Sequence, residues 1–435
     1  TFTRNCERWR KGMVNNLMEL ARSGEIAITG AKPKLPTTIP NLTDTMLDVY
    51  RIPLKYLYFN DENGRISTQI KRDFGRLTPH SDEIGTEYND KIARFIEEDN
   101  LASLKKTKKS IKEKGQQVYG YVLLDGRIID GNRRYTALRQ LQSETGASHY
   151  FEAVILPFTY DAKADRAQIK RLELAIQMGV EEKLQYDPVD LAVDIYQTII
   201  EDELMTAKDY SREANMSDKD VKDRIATVEL MHDFLEFINA PADAYYIVKD
   251  VKLYNPLYEL AKRFAINFPD KGPKYEQTKV TAFALLSKMV LTGGDTVREV
   301  REYVKNIVTS TVNDTYNDTV EDTIEDLRDK LESEPITSAA EYRKRLEEAT
   351  PELREVTEVY NSTVNRQARG KNVDNFVSSI RETLNMLRDI KRGSGLTGNL
   401  HFNNFSRDQV EEIRDMMVKV NIISGDLIEV YEDEL

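Results

Sequence analysis

The residues with the greatest chemical potential lie together in segment 125–134, whose sequence is DGRIIDGNRR. Gly131 allows the backbone to approach a ligand closely, and the guanidinium groups of Arg133 and Arg134 can each hold a phosphate through two hydrogen bonds. If a helix begins near Asn132, its first backbone N–H groups are unpaired and attract anions. The spacing therefore predicts a site for a phosphate-bearing ligand.

A plainer interpretation of the same residues stays open. A glycine followed by two arginines also occurs in solvated loops, Asp125 is typical of a hairpin turn, and Asp130 is typical of a turn or a helix cap. A nuclease would need such carboxylates around a metal ion, and the sequence offers no evident third acidic partner. The four scattered histidines and the single cysteine, Cys6, have no spacing typical of a zinc site or a disulfide. No metal ligand is therefore predicted.

Mixed strands and helices are predicted around this segment. The strands are expected at residues 52–59, 118–124, 127–129 and 151–156. The helices are expected at residues 92–100, at residues 101–114 and directly after residue 131. Asp125 and Gly126 form a hairpin signal between the two central strands, and residues 61–64 are expected to form a turn. This pattern positions the phosphate-binding segment between a strand and a helix.

The segments on either side of this region have sequence patterns typical of helices. An amphipathic helix that includes Leu17 and Leu20 is predicted within residues 1–45, and we expect this extension to pack on the region that follows. From residue 164 onward the sequence predicts helices, one of which has Asp187 as its cap and Pro188 as its first residue.

Turn and cap signals divide the later helices. Residues 309–319 and 393–398 have the composition of linkers. Ser406 and Gln409 have the spacing of a capping box for a last helix. The acidic residues 429–435 are expected to fray.

Length and charge limit the class of function. The 435 residues exceed one ordinary core, and the net charge of −12 comprises +2 over residues 1–50, +3 over 51–160 and −17 over 161–435. Because nonspecific nucleic-acid binding depends on clustered Lys and Arg, a protein that coats DNA through its whole surface is disfavoured. No apolar run approaches the length of a membrane span, so the chain is expected to be cytoplasmic, with no membrane partner.

Residues 50–157 resemble the ParB/RepB/Spo0J N-terminal domain, a family that shares its fold with sulfiredoxin and a free-serine kinase. The resemblance is carried by segment 125–134, by the strands around it and by residues 52–65, which are similar to the family's first box. It continues more loosely as far as residue 242. It implies that Gly131, Arg133 and Arg134 contact nucleotide phosphates. The other nucleotide-binding residues that it implies are Gly115 and Gln116, near the base or sugar, with Arg65, Asp130, Asn132 and Gln177.

Two departures from the family limit the chemistry. Partition proteins carry Glu and sulfiredoxin carries its reactive Cys at the position of Asn132, which can be neither a nucleophile nor a strong base. Sulfiredoxin activity is therefore excluded. The third box of partition proteins opens with a Glu-Asn pair that helps to hold Mg²⁺, whereas Leu174 and Ala175 stand there in this chain. Nucleotide hydrolysis is expected to be weak at most, unless Glu173 or an aspartate of segment 125–134 substitutes.

Residues 205–238 resemble the helix-turn-helix that follows in this family. The first helix is expected at 207–214 and the second at 218–230, with Ser217 as its cap. The expected DNA-binding residues near the start of the second helix are Lys219, Lys222 and Arg224. Three aspartates in the same helix offset their charge, so a purely structural helix pair is the alternative.

The expected fold class is α+β, with a small ParB/sulfiredoxin-like mixed domain followed by a large all-α region. The predicted domains are an N-terminal helical extension (1–45), a nucleotide-binding domain (46–160), a helical domain with the helix-turn-helix-like segment (161–242) and an all-helical region (243–435). The expected function is a homodimeric switch that binds CTP or ATP, with or without Mg²⁺, and couples binding to dimerisation and to association with duplex DNA. The alternatives are an enzyme of the same fold, either a nuclease or a small-molecule kinase-like protein, and an assembly protein with a degenerate module.

Overall fold

The computed structural model describes residues 16–35, 46–60, 66–74, 86–160, 162–178, 187–369, 373–392 and 406–432. Internal contacts divide the chain into two units, residues 1–360 and 361–435. The first unit contains a mixed α and β region followed by helices, so the predicted α+β class is confirmed. Over the described ranges, none of the helices combines the length and the apolar character that are needed to cross a membrane.

Six strands of the described residues form one sheet, in the order β1-β2-β6-β4-β5-β3. The strands are β1 (Ala27–Ile28), β2 (Val49–Pro53), β3 (Tyr58–Phe59), β4 (Gly120–Leu123), β5 (Arg127–Asp130) and β6 (Tyr150–Leu156). Neighbouring strands are antiparallel except for the pairs β3 with β5 and β4 with β6, which are parallel. The predicted hairpin of β4 and β5 is therefore confirmed.

The N-terminal extension packs on the sheet, as predicted. Helix α1 (Leu17–Arg22) places Leu17 in the core, and the Leu17 N–H donates to the Leu124 carbonyl at 2.8 Å. The same extension supplies β1, which pairs with β2. The sheet therefore includes residues that the sequence prediction assigned to a separate extension.

Alternating side chains of the strands build a separate core on each face of the sheet. Helices beside the mixed region are α2 (Ser67–Phe74), α3 (Thr86–Asp99), α4 (Leu101–Lys114) and α5 (Asn132–Thr145). Val122 lies in one core together with residues of α3 and α5. Its neighbour Leu123 lies in the other core, where Leu172 of α6 (Lys163–Met178) covers the opposite face. The first helix after the predicted boundary at residue 160 thus helps to bury the sheet.

The prediction of a single strand over residues 52–59 is wrong. The chain forms β2, then a 3-10 turn at Leu54–Tyr56, and then β3 at the far edge of the sheet. Pro53 is the last residue of β2 that pairs with β6, and it has no N–H group with which to continue a ladder. The predicted turn at residues 61–64 lies outside the described residues.

Helices make up the rest of the described first unit. They are α7 (Pro188–Tyr196), α8 (Ala207–Glu213), α9 (Asp218–Phe237), α10 (Tyr245–Asp250), α11 (Tyr254–Asn267), α12 (Pro273–Thr292), α13 (Thr296–Tyr303), α14 (Asn313–Glu332), α15 (Ala339–Glu348) and the start of α16 (Thr350–Arg369). The ring of Phe234 meets the rings of Phe283 and Tyr342 edge to face, with centroids 5.4 and 6.2 Å away. These buried contacts join α9, α12 and α15 in one core.

The prediction of a linker over residues 309–319 is wrong, because α14 begins at Asn313. Asn313 and Asn317 are buried against Thr278 of α12. The Thr278 hydroxyl donates to Asn313 Oδ1 at 3.2 Å and accepts from Asn317 Nδ2 at 3.0 Å. Hydrogen bonds between the helices pair Asn313 Oδ1 and Asn317 Nδ2, although Asn313 Nδ2 has no partner among the described residues. A composition typical of a linker therefore forms a buried helix face instead. Residues 393–398 lie outside the described residues.

The predicted helix caps are confirmed. Asp187 Oδ1 accepts from the Val189 N–H at 2.9 Å at the start of α7. In the second unit, which contains α17 (Val373–Arg392) and α18 (Arg407–Glu432), the Ser406 N–H donates to Gln409 Oε1 at 2.9 Å. The Gln409 N–H donates back to Ser406 Oγ at 3.2 Å, which completes the capping box. Helix α18 continues through the first part of the segment predicted to fray.

A buried hydrogen-bond network joins α2 to the helical region. Asp190 of α7 is 1% exposed, and its carboxylate accepts from the Thr68 hydroxyl at 2.7 Å and from Lys249 Nζ of α10 at 2.8 Å. Burial raises the pKa of Asp190 from 3.8 to about 6, although Lys249 and Thr68 oppose the rise. The protonated carboxyl is therefore favoured in the folded state relative to the unfolded chain.

This pKa shift predicts how stability changes with pH. Protonated Asp190 makes its full contribution to the free energy of unfolding below pH 3.8. That contribution is lost as the pH rises through about 6. Asp190→Asn mimics the neutral carboxyl at every pH. We therefore expect the unfolding free energy of the wild type, relative to that of the variant, to fall by about 2 kcal/mol between pH 4 and pH 7. Urea unfolding at several pH values measures this difference, and a constant difference would contradict the prediction.

Candidate phosphate-binding site

The predicted phosphate-binding segment lies where β5 ends and α5 begins. Gly131 is the residue before the helix, with a φ of 111°, and no side chain among the described residues caps the helix there. The local order of strand, turn and helix is therefore confirmed. An uncapped helix start presents N–H groups and the positive end of the helix dipole to a ligand or to solvent.

One aromatic ring requires glycine at two positions beside this turn. A Cβ atom added to Gly131 would lie 2.6 Å from Cζ of Phe151, and one added to Gly120 would lie 2.2 Å from the same atom. Phe151 is fully buried in β6. The left-handed φ of Gly131 also disfavours other residues. The start of α5 thus lies against the sheet at a distance that excludes a side chain.

Arg134 makes an ion pair inside the candidate site. Its Nη2 atom lies 2.7 Å from Oδ2 of Asp130 and donates to the Tyr119 carbonyl at 3.4 Å. The side chains of Arg134 and Asp130 are 18% and 16% exposed. Burial raises the pKa of the adjacent Tyr121, with a further rise from Asp130 and an opposing effect of Arg134. A phosphate at this position would compete with Asp130 for the guanidinium group.

Asn132 presents a buried polar atom at the same helix start. The residue is 9% exposed, and its Oδ1 atom has no hydrogen-bond partner within the described part of the chain. A buried acceptor normally has a donor, which can be water or a ligand. Arg133 is half-buried beside it. The structure thus brings together five of the predicted residues, which are Asp130, Gly131, Asn132, Arg133 and Arg134.

Gly115 and Gln116 have a role that the sequence did not predict. Gly115 ends α4 in a left-handed conformation with a φ of 72°. The Gln116 amide then accepts from the Glu152 N–H at 3.0 Å and donates to the Glu152 carbonyl at 2.6 Å. The side chain therefore acts like a strand residue beside β6. No local pattern in the sequence predicts this contact, because the two residues are 36 positions apart.

Asp125 is a turn residue in the structure, as the plainer interpretation of the sequence had it. Its Oδ1 atom accepts from the Arg127 N–H at 3.0 Å, which is an Asx turn, and its Oδ2 atom accepts from the Tyr58 hydroxyl. The Cζ atom of Arg127 lies 4.1 Å from the centre of the Tyr160 ring, and its Nη1 atom donates to Asn60 Oδ1 at 3.2 Å. This cluster was not predicted, since its members come from distant parts of the sequence.

The structure does not test the two remaining predicted ligand residues, Arg65 and Gln177. Arg65 lies outside the described residues, and only the backbone of Gln177 is described, within α6. Glu173 is buried, with its Oε2 atom 3.6 Å from Nζ of Lys170. No group of three or more His, Cys, Asp and Glu side chains suited to a metal ion occurs in the described ranges.

The helix-turn-helix-like segment has the predicted local structure. Helix α8 is followed by a turn with Asn215 at a φ of 53°, and Ser217 Oγ accepts from the Asp220 N–H at 3.0 Å at the start of α9. Lys219 and Lys222 are exposed. Both helices are thus formed and capped, whether or not they bind DNA.

Arg224 is less available than the two lysines. Its Nε atom donates to Asp220 Oδ2 at 3.2 Å, and its Nη1 atom donates to the Tyr254 hydroxyl of α11 at 3.0 Å. These contacts attach α9 to the helical core. DNA binding by Arg224 stays a prediction that would require these contacts to be shared or broken.

No protein-family model matches this chain, and a search of curated proteins found no similar sequence.

The contact of Gln116 with β6 gives a stability prediction. Gln116→Ala removes both hydrogen bonds to Glu152 and should lower the unfolding free energy by about 1–3 kcal/mol, because two backbone groups lose their partner. Gln117→Ala is the matched control. The Gln117 side chain is exposed, and it donates a hydrogen bond to the Lys114 carbonyl at the end of α4 rather than to a strand. Its effect should stay within about 0.5 kcal/mol. Equal effects in denaturant unfolding would contradict the structural role of Gln116.

Proposed function

We propose that this chain is a ParB-like switch protein that binds a nucleoside triphosphate, CTP or ATP, at the start of α5. The observation that carries the proposal is the uncapped start of a 14-residue helix, held against the sheet by Gly131. Helix N–H groups and two arginines supply the interactions that phosphates prefer. The unpartnered Oδ1 of Asn132 offers an acceptor for a donor group of the ligand, such as a hydroxyl or an amine.

The ion pair between Asp130 and Arg134 gives the site two arrangements. In the structure, Arg134 is held by Asp130. A phosphate bound here draws the guanidinium of Arg134 away from Asp130 or shares it with Asp130. Ligand binding therefore changes a contact between β5 and α5, which is the kind of local electrostatic event that a switch requires.

The proposed switch acts on the helical region, where dimer contacts and DNA association are expected. The buried contacts of Asp190 with Thr68 and Lys249 provide a physical link, because they join α2 beside the mixed region to α7 and α10. A substitution in this link should weaken the coupling between nucleotide and DNA.

The first test is a titration of the four nucleoside triphosphates, with and without Mg²⁺. Arg133→Ala and Arg134→Ala should each weaken binding about tenfold or more, because each removes a charge-assisted hydrogen bond. Arg94→Ala is the control, since it removes the same charge from an exposed position on α3. Asp130→Asn should tighten binding by freeing Arg134. Unchanged affinity in Arg133→Ala, Arg134→Ala and Asp130→Asn would reject the site.

DNA association has its own test. Lys219→Ala and Lys222→Ala should each weaken binding to duplex DNA and reduce its salt dependence, since each phosphate contact releases counterions. Lys344→Ala serves as the control, because Lys344 is exposed on α15, away from the helix-turn-helix-like segment in sequence. The measurement is a mobility-shift titration at several salt concentrations with nucleotide present. Absence of any shifted complex at low salt would make the helix pair structural.

A second function, an assembly protein with a degenerate module, is favoured by a specific observation. Two predicted ligand residues, Arg134 and Gln116, already have protein partners in Asp130 and Glu152. In that case the module binds no nucleotide and the acidic helical region contacts other proteins. Nucleotide titration separates the two functions directly. An enzyme is the less supported alternative, since the buried Glu173 already contacts Lys170.

A further inference from the structure

Helix α4 concentrates positive charge on the surface of an acidic protein. Its 14 residues include six lysines and one acidic residue, Glu113, so six positive charges less one negative give +5, whereas the whole chain carries −12. Clustering of this kind, rather than net charge, is what nonspecific nucleic-acid binding depends on. The lysines that are exposed are Lys105, Lys106, Lys109, Lys112 and Lys114.

Three of these lysines form a line along the exposed side of the helix. Lys105, Lys109 and Lys112 are separated by four and three residues, so they lie on one face and span ~10 Å of the helix axis. On another side of α4, Leu104 is buried and Ile111 packs against the core of the mixed region. These core contacts hold the three lysines, called the lysine face below, toward solvent.

Neighbouring carboxylates leave most of this charge available. Lys109 Nζ lies 3.9 Å from Glu113, and the Lys109 side chain is still 77% exposed. Lys105 and Lys112 have no carboxylate partner among the described residues. The acidic residues 97–99 precede the helix. Lys112 lies ~16 Å beyond the start of α4, which exceeds the screening length of ~8 Å at physiological salt.

The residue types of α4 disfavour a protein or a membrane as the partner. Protein interfaces are enriched in aromatic residues, Met and Arg and are depleted in Lys, and α4 contains no aromatic residue, Met or Arg. A helix that binds in a membrane surface buries its apolar side among the lipids. The apolar side of α4 is already buried in the protein. The lysine face therefore fits a polyanion that carries its charge on the outside.

The same residue types favour duplex DNA over other nucleic acids. Single strands are bound by stacking their bases on aromatic side chains, which α4 lacks. Double-stranded RNA is recognised through its shape and its 2′-hydroxyl groups. Duplex DNA presents one negative charge per ~1.7 Å of its axis, so a line of ~10 Å lies beside about six phosphates. Contacts to phosphates carry no sequence information.

We propose that the lysine face of α4 binds the phosphate backbone of duplex DNA, independently of base sequence. This inference goes beyond the proposed switch, which assigns its DNA contacts to the helix-turn-helix-like segment and couples them to a nucleotide. The lysine face lies in the mixed region and requires no nucleotide. It is therefore a second and separate DNA contact.

The test is binding of the full chain, without nucleotide, to a random-sequence duplex, followed by fluorescence anisotropy at several salt concentrations. Lys105→Gln, Lys109→Gln and Lys112→Gln, combined in one variant, should weaken binding at low salt about tenfold or more. The slope of log affinity against log salt should fall in magnitude by about 3, roughly one for each lost phosphate contact. Gln has a helix propensity close to that of Lys, and urea unfolding checks that the fold is retained.

The matched control removes the same charge from scattered positions. Lys252→Gln, Lys305→Gln and Lys344→Gln, combined in one variant, change three exposed lysines outside the mixed region. Affinity and salt slope should stay close to those of the wild type. A loss equal to that of the α4 variant would show that net charge, and not the lysine face, decides binding.

Variants of the helix-turn-helix-like segment separate this proposal from the proposed function. Lys219→Ala and Lys222→Ala leave the lysine face intact. Loss of nucleotide-free binding in the α4 variant, with none in Lys219→Ala or Lys222→Ala, supports the lysine face and makes the helix pair structural. The reverse result rejects the lysine face alone.

Three further results would overturn the proposal. Absence of wild-type binding at the lowest salt removes the site. Tighter binding to single-stranded DNA or to double-stranded RNA than to duplex DNA identifies a different nucleic acid. Binding to vesicles that contain phosphatidylserine, lost in the α4 variant and without binding to the duplex, identifies a membrane surface.

Discussion

The close approach of three backbone segments around the Phe151 ring is the constraint on which the candidate site depends. The ring occupies the space that a Cβ atom of Gly120 or Gly131 would need, at 2.2 and 2.6 Å from its Cζ atom. Strand β4 and the start of α5 can therefore approach β6 only because both residues are glycines. This approach sets the direction of α5 and brings Arg134, in its first turn, to Asp130 at the end of β5. The geometry of the helix start is thus decided by packing beneath it.

Local signals predicted the elements of this site well. The Asp125-Gly126 hairpin, the bounds of α4 and the caps at Asp187 and Ser406 all depend on residues only a few positions apart, and all are confirmed. The partners of the site residues were harder to predict. Asp130 and Arg134 are four residues apart, but Asp130 belongs to a strand, so helical spacing does not indicate their ion pair. The contact of Gln116 with β6 depends on the tertiary fold alone.

Two predictions failed because composition does not report what surrounds a segment. Residues 309–319 are rich in Thr, Asn and Asp, yet Asn313 and Asn317 find hydrogen-bond partners on Thr278 of α12 and can be buried in a helix. Residues 52–59 are apolar enough for one strand, but Pro53 ends the pairing with β6, and the chain crosses to the other side of the sheet. The partner of Asn313 and Asn317 is distant in sequence, so one sequence does not predict it. In segment 52–59, Pro53 itself ends the pairing, which the apolar composition of the segment does not reveal.

The two outermost strands of the sheet have a consequence for aggregation. Both edges are formed by strands of two residues, β1 and β3. A long open edge offers a row of unpaired backbone groups on which another chain can add a strand, and such addition begins domain swapping and fibre growth. Edges this short offer too few hydrogen bonds to hold a foreign strand. The four longer strands, including the apolar β6, lie between these two short strands in the sheet.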